Sequence, residues 1–347
     1  MPRLLYIGNK LSAAGKTPTS VEVLGALLSE EGYEVIAVSP YRNQLLRLLH
    51  MLWSVVRFAR TLDWVLIDTY STRNFYYAWL VAETCQMFKL NYLPILHGGK
   101  LPWRLKSNPI LCHRMFKKAF VNVAPSGYLY EAFRLHYNNV VCIPNSIDLK
   151  LYSFLNKTFE VPRILWVRSF AAIYNPMLAV EAFAEIQSKY PKASLSMVGP
   201  DKDGSLKQCQ ARAHQLGLEI TFTGKLSKQE WIQYSTGFNI CLNTTNYDNT
   251  PVSLIEAMAL GLVVISTKVG GIPFLIQDKL DGLLVNPDSK GEILQAVELI
   301  LTDKSLQKKI LHNARLKAET MDWNRIKLMW NAVLIDKNVN FDDELLT

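Results

Sequence analysis

The sequence predicts an α/β protein built on two doubly wound parallel sheets. Three observations predict it. Short buried-type apolar runs alternate with helical stretches along the chain, the alternation pauses once near 154–162, and it then restarts with the same rhythm. A chain of 347 residues with 49% hydrophobic and 20% charged residues also suits two cores better than one. The expected domains are 1–155 and 160–322, with a final helical segment, 323–336, packing back on the first domain.

Taken in order, the first strand is 4–8, in MPRLLYIGNK. It is a short apolar run ending in glycine, so it reads as a buried strand rather than a signal peptide. Further strands are expected at 34–39, 64–68, 92–96, 121–124 and 140–143. After the linker they recur at 164–167, 195–198, 220–223, 240–243, 263–266 and 282–285. Helices of the second half begin near Pro176, Leu206, Ser227, Pro251 and Lys290. In such sheets ligands bind at the carboxyl ends of the strands, and with two domains the cleft between them is the expected site.

Composition narrows the function classes. Cys85, Cys112, Cys142, Cys209 and Cys241 form no close pair, which argues against a zinc site or a disulfide framework. No apolar run spans a bilayer, because Glu83 interrupts the best one, 75–90. A soluble, cytoplasmic protein is the expectation. The net charge of +8 is lopsided. Residues 1–155 hold 17 Lys and Arg against 9 Asp and Glu, whereas 156–347 hold 21 of each. A basic first half implies an anionic partner: a phosphate, an anionic lipid surface or a nucleic acid. No nucleic-acid motif is present, so nucleic acid is not expected.

Two basic stretches, 44–60 and 101–118, are also apolar. In the first, Leu45, Leu48, Leu49, Leu52, Val55, Val56 and Ala59 recur at helical spacing, with Arg47 and Arg57 off the stripe. The expected arrangement is a core-packed helix with solvated arginines. Its rival is a helix lying on a membrane surface.

Five motifs carry candidate chemistry. The loop GNKLSAAGKTPTS contains Gly15-Lys16-Thr17, but six residues separate Gly8 from Gly15 where a Walker loop needs four. It reads as a phosphate-facing loop at a helix start. Asp201-Lys202-Asp203 could bind a divalent ion, yet with Gly204 it reads as a turn, and no metal is assigned. His97 ends a strand and precedes Gly98 and Gly99, which permit close approach of a ligand.

Asp248-Asn249-Thr250-Pro251-Val252-Ser253-Leu254-Ile255-Glu256 is the most informative stretch. Pro251 suits a first helical turn, capped by Asn249 or Thr250, so the amides of Val252 and Ser253 would meet an anion. Glu256, among apolar neighbours, could accept two hydrogen bonds from vicinal hydroxyls. Arg168 ends the first strand of the second half, where a guanidinium can grip a diphosphate.

Together these pieces resemble the retaining GT-B glycosyltransferases of the group 1 type, glycosyltransferase family 4. The strings PNSID at 144–148, MVGPDKDG, FTGKLSKQEW and EAMALGLVVISTKVGGIPFLI stand in that family's order and spacing. The family's E-x7-E appears as Asp248-x7-Glu256. The resemblance implies two Rossmann-like domains facing a central cleft. It implies a nucleoside diphosphate sugar as donor, transfer with retention, and no required cofactor. Glu256 would bind the ribose, Asp248 the donor sugar, Val252 and Ser253 the distal phosphate, and Arg168 the diphosphate. His97 would approach the sugar from the first domain, and Lys225 and Leu226 would line the base pocket. Gly199 and Tyr174 join the expected donor site, and Gly15, Lys16, Thr17 and Gly98 the phosphate or acceptor loops.

Two departures stand out. Asp248 is one methylene shorter than the family's glutamate. The family's lysine after the arginine is missing, because RSFAAIYNP offers Tyr174 and Asn175 instead. Lys225, Lys16 or Tyr174 would have to substitute. The basic first domain implies an acceptor bearing phosphate or lipid-linked, a role in surface polysaccharide or glycoconjugate synthesis, and peripheral association with the inner membrane face. Rival readings are a sugar-nucleotide-binding protein without turnover, a GT-B-shaped epimerase or phosphorylase, and an NTPase.

Overall fold

The computed structural model describes residues 1–10, 19–155 and 158–335. Among them, twelve strands form two six-stranded sheets, every pairing parallel. The first sheet holds β1 (Arg3–Ile7), β2 (Glu34–Val38), β3 (Trp64–Thr69), β4 (Tyr92–Leu96), β5 (Asn122–Ala124) and β6 (Val140–Cys142). Its helices are α1 (Ser20–Glu30), α2 (Gln44–Phe58), α3 (Asn74–Met87), α4 (Leu101–Ser107), α5 (Pro109–Phe116) and α6 (Gly127–Arg134). The second holds β7 (Arg163–Val167), β8 (Ser194–Val198), β9 (Ile220–Gly224), β10 (Ile240–Asn243), β11 (Val263–Thr267) and β12 (Leu283–Val285). Around it run α7 (Pro176–Lys189), α8 (Ser205–Gln215), α9 (Lys228–Ser235), α10 (Val252–Leu260), α11 (Ile272–Leu275), α12 (Lys290–Thr302) and α13 (Lys304–Thr320), before α14 (Trp323–Ile335). The predicted fold class is the one observed.

The strands are apolar throughout because both faces of each sheet are covered. In β7, Leu165 packs with Ile255, Met258 and Val264 on one face, while its neighbour Trp166 packs with Phe170, Phe183 and Met197 on the other. Successive side chains alternate across the sheet, so one run of apolar residues feeds two cores. The first sheet does the same around Leu5, Ile7, Val65, Ile67, Phe75 and Phe116.

The contact pattern divides the chain at Asn145 and after Ile326. The segment 145–155, grouped by sequence with the first domain, clusters with the second unit. Ile147 pairs with Asp322, and the Tyr152 hydroxyl donates to Glu256 Oε1 at 2.9 Å. Lys327 onward clusters with the first unit. There Tyr33 donates to Asn331 Oδ1 at 2.7 Å, the Trp64 indole to the Leu334 carbonyl at 2.8 Å, and Lys327 pairs with Glu31.

Strand order places the sites. The first sheet runs β2-β1-β3-β4-β5-β6, so its winding direction reverses between β1 and β3. The second runs β12-β11-β10-β7-β8-β9 and reverses between β7 and β10. At such a reversal the loops leave on opposite faces and open a crevice at the carboxyl ends.

Helix α2 corrects the expectation of a core-packed leucine stripe with solvated arginines. Arg47 is buried, donating to the carbonyls of Tyr41 and Arg42 and to Asn9 Oδ1 at 2.9, 3.0 and 2.7 Å. It turns Met51, Ser54 and Val55 inward, and Leu45, Leu49 and Val56 outward. The carbonyls that fix Arg47 come from a loop, and helical periodicity carries no sign of them.

Candidate functional site

Arg168 follows β7 at the second sheet's reversal point. Its amide donates to the Val198 carbonyl at 3.0 Å, which extends the ladder by one residue. Its guanidinium lies over the Tyr174 ring at 4.6 Å and forms an ion pair with Asp248. Burial lowers its pKa from the ordinary value, and its Nε finds no acceptor. Gly199 makes this corner possible. Its φ is +150°, and a Cβ there would lie 1.8 Å from the Arg168 carbonyl oxygen.

Asp248 enters from the β10 side of the same reversal. The glycines of the 268–273 loop let it sit there. Gly270 has φ +54°, a Cβ on it would lie 2.0 Å from the Asp248 carbonyl, and the Gly271 amide donates to that carbonyl at 3.0 Å. Helix α10 starts at Val252, one residue after the Pro251 start that the sequence suggested. Pro251 itself is the N-cap, with φ −66° and ψ 116°, and no side chain caps the helix. Asn249 and Thr250 therefore do not cap, because Pro251 adopts an extended conformation before the first turn. The Thr250 hydroxyl is buried without a partner. The Thr250 carbonyl accepts from Asn145 at 3.3 Å. No side chain caps the first turn of α10, so the amides of Val252 and Ser253 have no acceptor within the helix.

One turn into α10, Glu256 is buried. It accepts from the Tyr152 hydroxyl and pairs with Lys228 at the start of α9. Burial brings the Lys228 amine down from 10.5 to about 8. Leu226 packs into the core that holds α10, whereas Lys225 is exposed. The sequence reading named Lys225 but missed Lys228 and Tyr152. Tyr152 lies 104 residues from Glu256, a pairing that only the fold creates.

The loop after Arg168 is firmly tied. Thr244 Oγ1 donates to the Tyr174 carbonyl at 3.0 Å. Asn175, at φ +45°, donates to Asp288 at 2.7 Å and caps α7. Tyr174 thus holds a defined place against Arg168. Asp203 accepts from the Ala172 amide at 2.8 Å and from the Ser205 hydroxyl at 2.5 Å. Asp201 accepts from the Gly204 amide at 3.0 Å. Both acids start α8. Among the described residues no group of three or more His, Cys, Asp or Glu could hold a metal ion.

In the first unit, His97 follows β4 and its Nε2 lies 2.8 Å from Asp68 Oδ1, at the end of β3. Tyr6 of β1 donates to the same oxygen at 3.0 Å. Burial, then the charge of Asp68, pushes the Tyr6 phenol well above its ordinary value, so Tyr6 acts as a donor. The Asp68 side chain is fully buried, and its Oδ2 has no partner. A carboxylate accepts only, so the His97 proton facing it is on Nε2. Gly98 sits against Ser71, where a Cβ would lie 2.4 Å from the backbone nitrogen. Gly15, Lys16 and Thr17 lie outside the described residues. Asp68 was not expected, although an acid closing the apolar run WVLID was the available signal.

Residues 154–317 match the family described as Glycosyl transferases group 1. That stretch belongs to the group 1 glycosyltransferases. It takes in β7 to most of α13, and with them Arg168, Tyr174, Asp248 and Glu256. A curated relative is a Campylobacter jejuni GalNAc-alpha-(1->4)-GalNAc-alpha-(1->3)-diNAcBac-PP-undecaprenol alpha-1,4-N-acetyl-D-galactosaminyltransferase. It is 26% identical over 47% of this chain and 45% of its own. The chain spans less than half the length of the first curated relatives it matches. Among solved structures, sucrose-phosphate synthase from Thermosynechococcus elongatus aligns with a TM-score of 0.76 at 17% identity, over 97% of this chain and 99% of its own. Anabaena HepE in complex with UDP-glucose aligns with a TM-score of 0.76 at 17% identity, over 97% and 100%. The fold is GT-B. The matched stretch carries Asp248 paired with Arg168, Tyr174 beneath that guanidinium, and the buried Glu256.

Proposed function

We propose that the chain transfers a sugar from a nucleoside diphosphate donor to an acceptor hydroxyl, with retention at the anomeric carbon. The observation that carries this is the set of unmatched polar groups at the second sheet's reversal. Arg168 Nε, the Thr250 hydroxyl and the uncapped start of α10 all lack partners there, and a diphosphate supplies what they lack.

In this reading Arg168 and the amides of Val252 and Ser253 hold the diphosphate, framed by Asn249, Thr250 and Pro251. Gly199 leaves room beside the Arg168 backbone. Asp248 swings from Arg168 to hydroxyls of the sugar. Glu256 takes the ribose hydroxyls, and Lys225 and Leu226 line the base. The bond from the anomeric carbon to the diphosphate breaks, with its electron pair leaving on the diphosphate. The acceptor oxygen makes the new bond and gives up its proton to an oxygen of the departing diphosphate. Arg168 and the α10 amides stabilise the departing charge, so no metal or organic cofactor is needed. His97 is the catalytic contribution of the first unit. The UDP-glucose complex of HepE supports a nucleotide sugar as donor. The Campylobacter relative, named for a diphosphate-undecaprenol saccharide, supports a lipid-linked, phosphate-bearing acceptor and a role in glycoconjugate synthesis at the inner membrane face.

A second reading, donor binding without turnover, is favoured by one observation. Tyr174 supplies a ring rather than a second cation beside the leaving group. Thermal melting against a panel of nucleoside diphosphate sugars tests the donor site. A clear rise with one donor, lost in Glu256→Ala, is expected, and product formed with a lipid diphosphate saccharide separates transfer from binding. No rise with any donor sinks the proposal.

A further inference from the structure

Helix α2 presents to solvent the residues that a core helix would hide. Leu45, Leu49, Trp53 and Val56 are 64%, 53%, 53% and 48% exposed. They fall at i, i+4, i+8 and i+11, one line along the helix. The opposite face is spent on the core and on the buried Arg47. A ladder of rings edges the exposed line. Tyr41 meets His50 edge-on at 5.1 Å, His50 stacks on Trp53 at 6.1 Å, and Arg57 lies over Trp53 at 4.9 Å.

The charge around this line has one sign. From 35 to 62 there is no Asp or Glu, against Arg42, Arg47, Arg57 and Arg60. From 84 to 130 there is again no acid, against seven Lys and Arg. The surface continues beyond α2. Tyr77 donates to Gln44 at 3.3 Å, and Arg104 of α4 lies 5.3 Å over its neighbour Tyr76, beside the exposed Trp103.

We infer that this face of α2 is the seat of the protein on an anionic lipid surface, which deepens the membrane-face part of the reading above. Leucines and valine enter the acyl boundary, the Trp53 ring sits at headgroup level, and Arg57 reaches lipid phosphate from beside it. The helix is 15 residues long, roughly 22 Å, too short to cross a hydrocarbon core of roughly 30 Å, so it lies flat. A second copy of the chain is a poorer occupant. A two-fold contact through this face would set arginine against arginine with no carboxylate from 35 to 62 to offset them.

Vesicle flotation of the full chain tests this, comparing phosphatidylcholine alone with phosphatidylcholine containing phosphatidylglycerol. Binding to the anionic vesicles is expected to be at least about tenfold stronger, and to weaken without vanishing in high salt. The double variant L49E/V56E, at exposed positions, should lose roughly tenfold or more, and Arg57→Gln roughly fivefold. Both should melt normally and keep the donor-induced rise in melting temperature. Failure of the donor site and failure of the lipid seat are therefore read separately. Equal flotation of L49E/V56E and wild type overturns the proposal, as does failure of the wild type to float. A lipid-free dimer that L49E/V56E converts to monomer assigns the face to a second copy and overturns it too.

Discussion

The two sheets reverse their winding in the same way, yet the two reversal points hold opposite chemistry. In the first, Asp68 is buried: Tyr6 from β1 and His97 from β4 bond one oxygen, and the other, against Gly8, is an acceptor without a partner. In the second, Arg168 has a stacked ring and one carboxylate, with donors and a hydroxyl left over. Both corners depend on glycines that let backbones nearly touch, Gly98 in one and Gly199 in the other. The fold supplies a crevice, and the residues decide whether it is already occupied by protein groups or built to receive an anion. Buried polar atoms without partners cost free energy, and the second corner keeps Arg168 Nε and the Thr250 hydroxyl in that state where the first keeps one carboxylate oxygen.

The comparison breaks most directly at Arg168. Arg168→Ala should weaken donor binding by about 100-fold, roughly 2.7 kcal/mol, as loss of charge-assisted hydrogen bonds predicts. Titration calorimetry with the donor found by melting measures it, and retention of near wild-type affinity would place the diphosphate elsewhere. Asp68→Asn sharpens the other side. It removes the charge that holds His97 with its proton on Nε2, at a stability cost of about 1–3 kcal/mol. Transfer should fall while donor affinity stays the same. A loss of donor affinity equal to that of Arg168→Ala would mean the two corners do not divide the work.

The smallest effect concerns Lys228. Its amine titrates at about 8 in the folded protein and at its ordinary 10.5 when unfolded. Between those values the unfolded chain binds the extra proton, so stability rises with pH across that window. Below about pH 8 both states are protonated, and the cost of burying the charge is fully present. Lys228→Met should flatten this slope, measured as urea unfolding at pH 7, 8, 9 and 10. An unchanged slope would mean another group causes it.

Much of the architecture was legible. Every expected strand lies within a residue or two of an observed one, because both sheet faces are buried and the apolar runs are unbroken. The places of Arg168 after β7, and of Asp248 and Glu256 around the start of α10, were legible because strand ends and helix starts are local features. Three things were not. The inward face of α2 is set by Arg47 bonding loop carbonyls, which outweighs leucine spacing. Pro251 takes the cap position rather than the first turn, a difference of backbone angle at one residue. Asp68, Tyr152 and Lys228 act through partners 29, 104 and 28 residues away, and composition assigns them no role.

Helix α14 has a consequence for how the protein is made. The Trp64 indole and the Tyr33 hydroxyl of the first unit find their partners only at Leu334 and Asn331. The intervening second unit, Asn145–Ile326, must leave the ribosome before those partners exist. At roughly 5–20 residues per second its 182 residues take about 10–40 s. The unit translated first is thus the one completed last, and through that interval its sheet stands beside the nascent chain with one wall still missing.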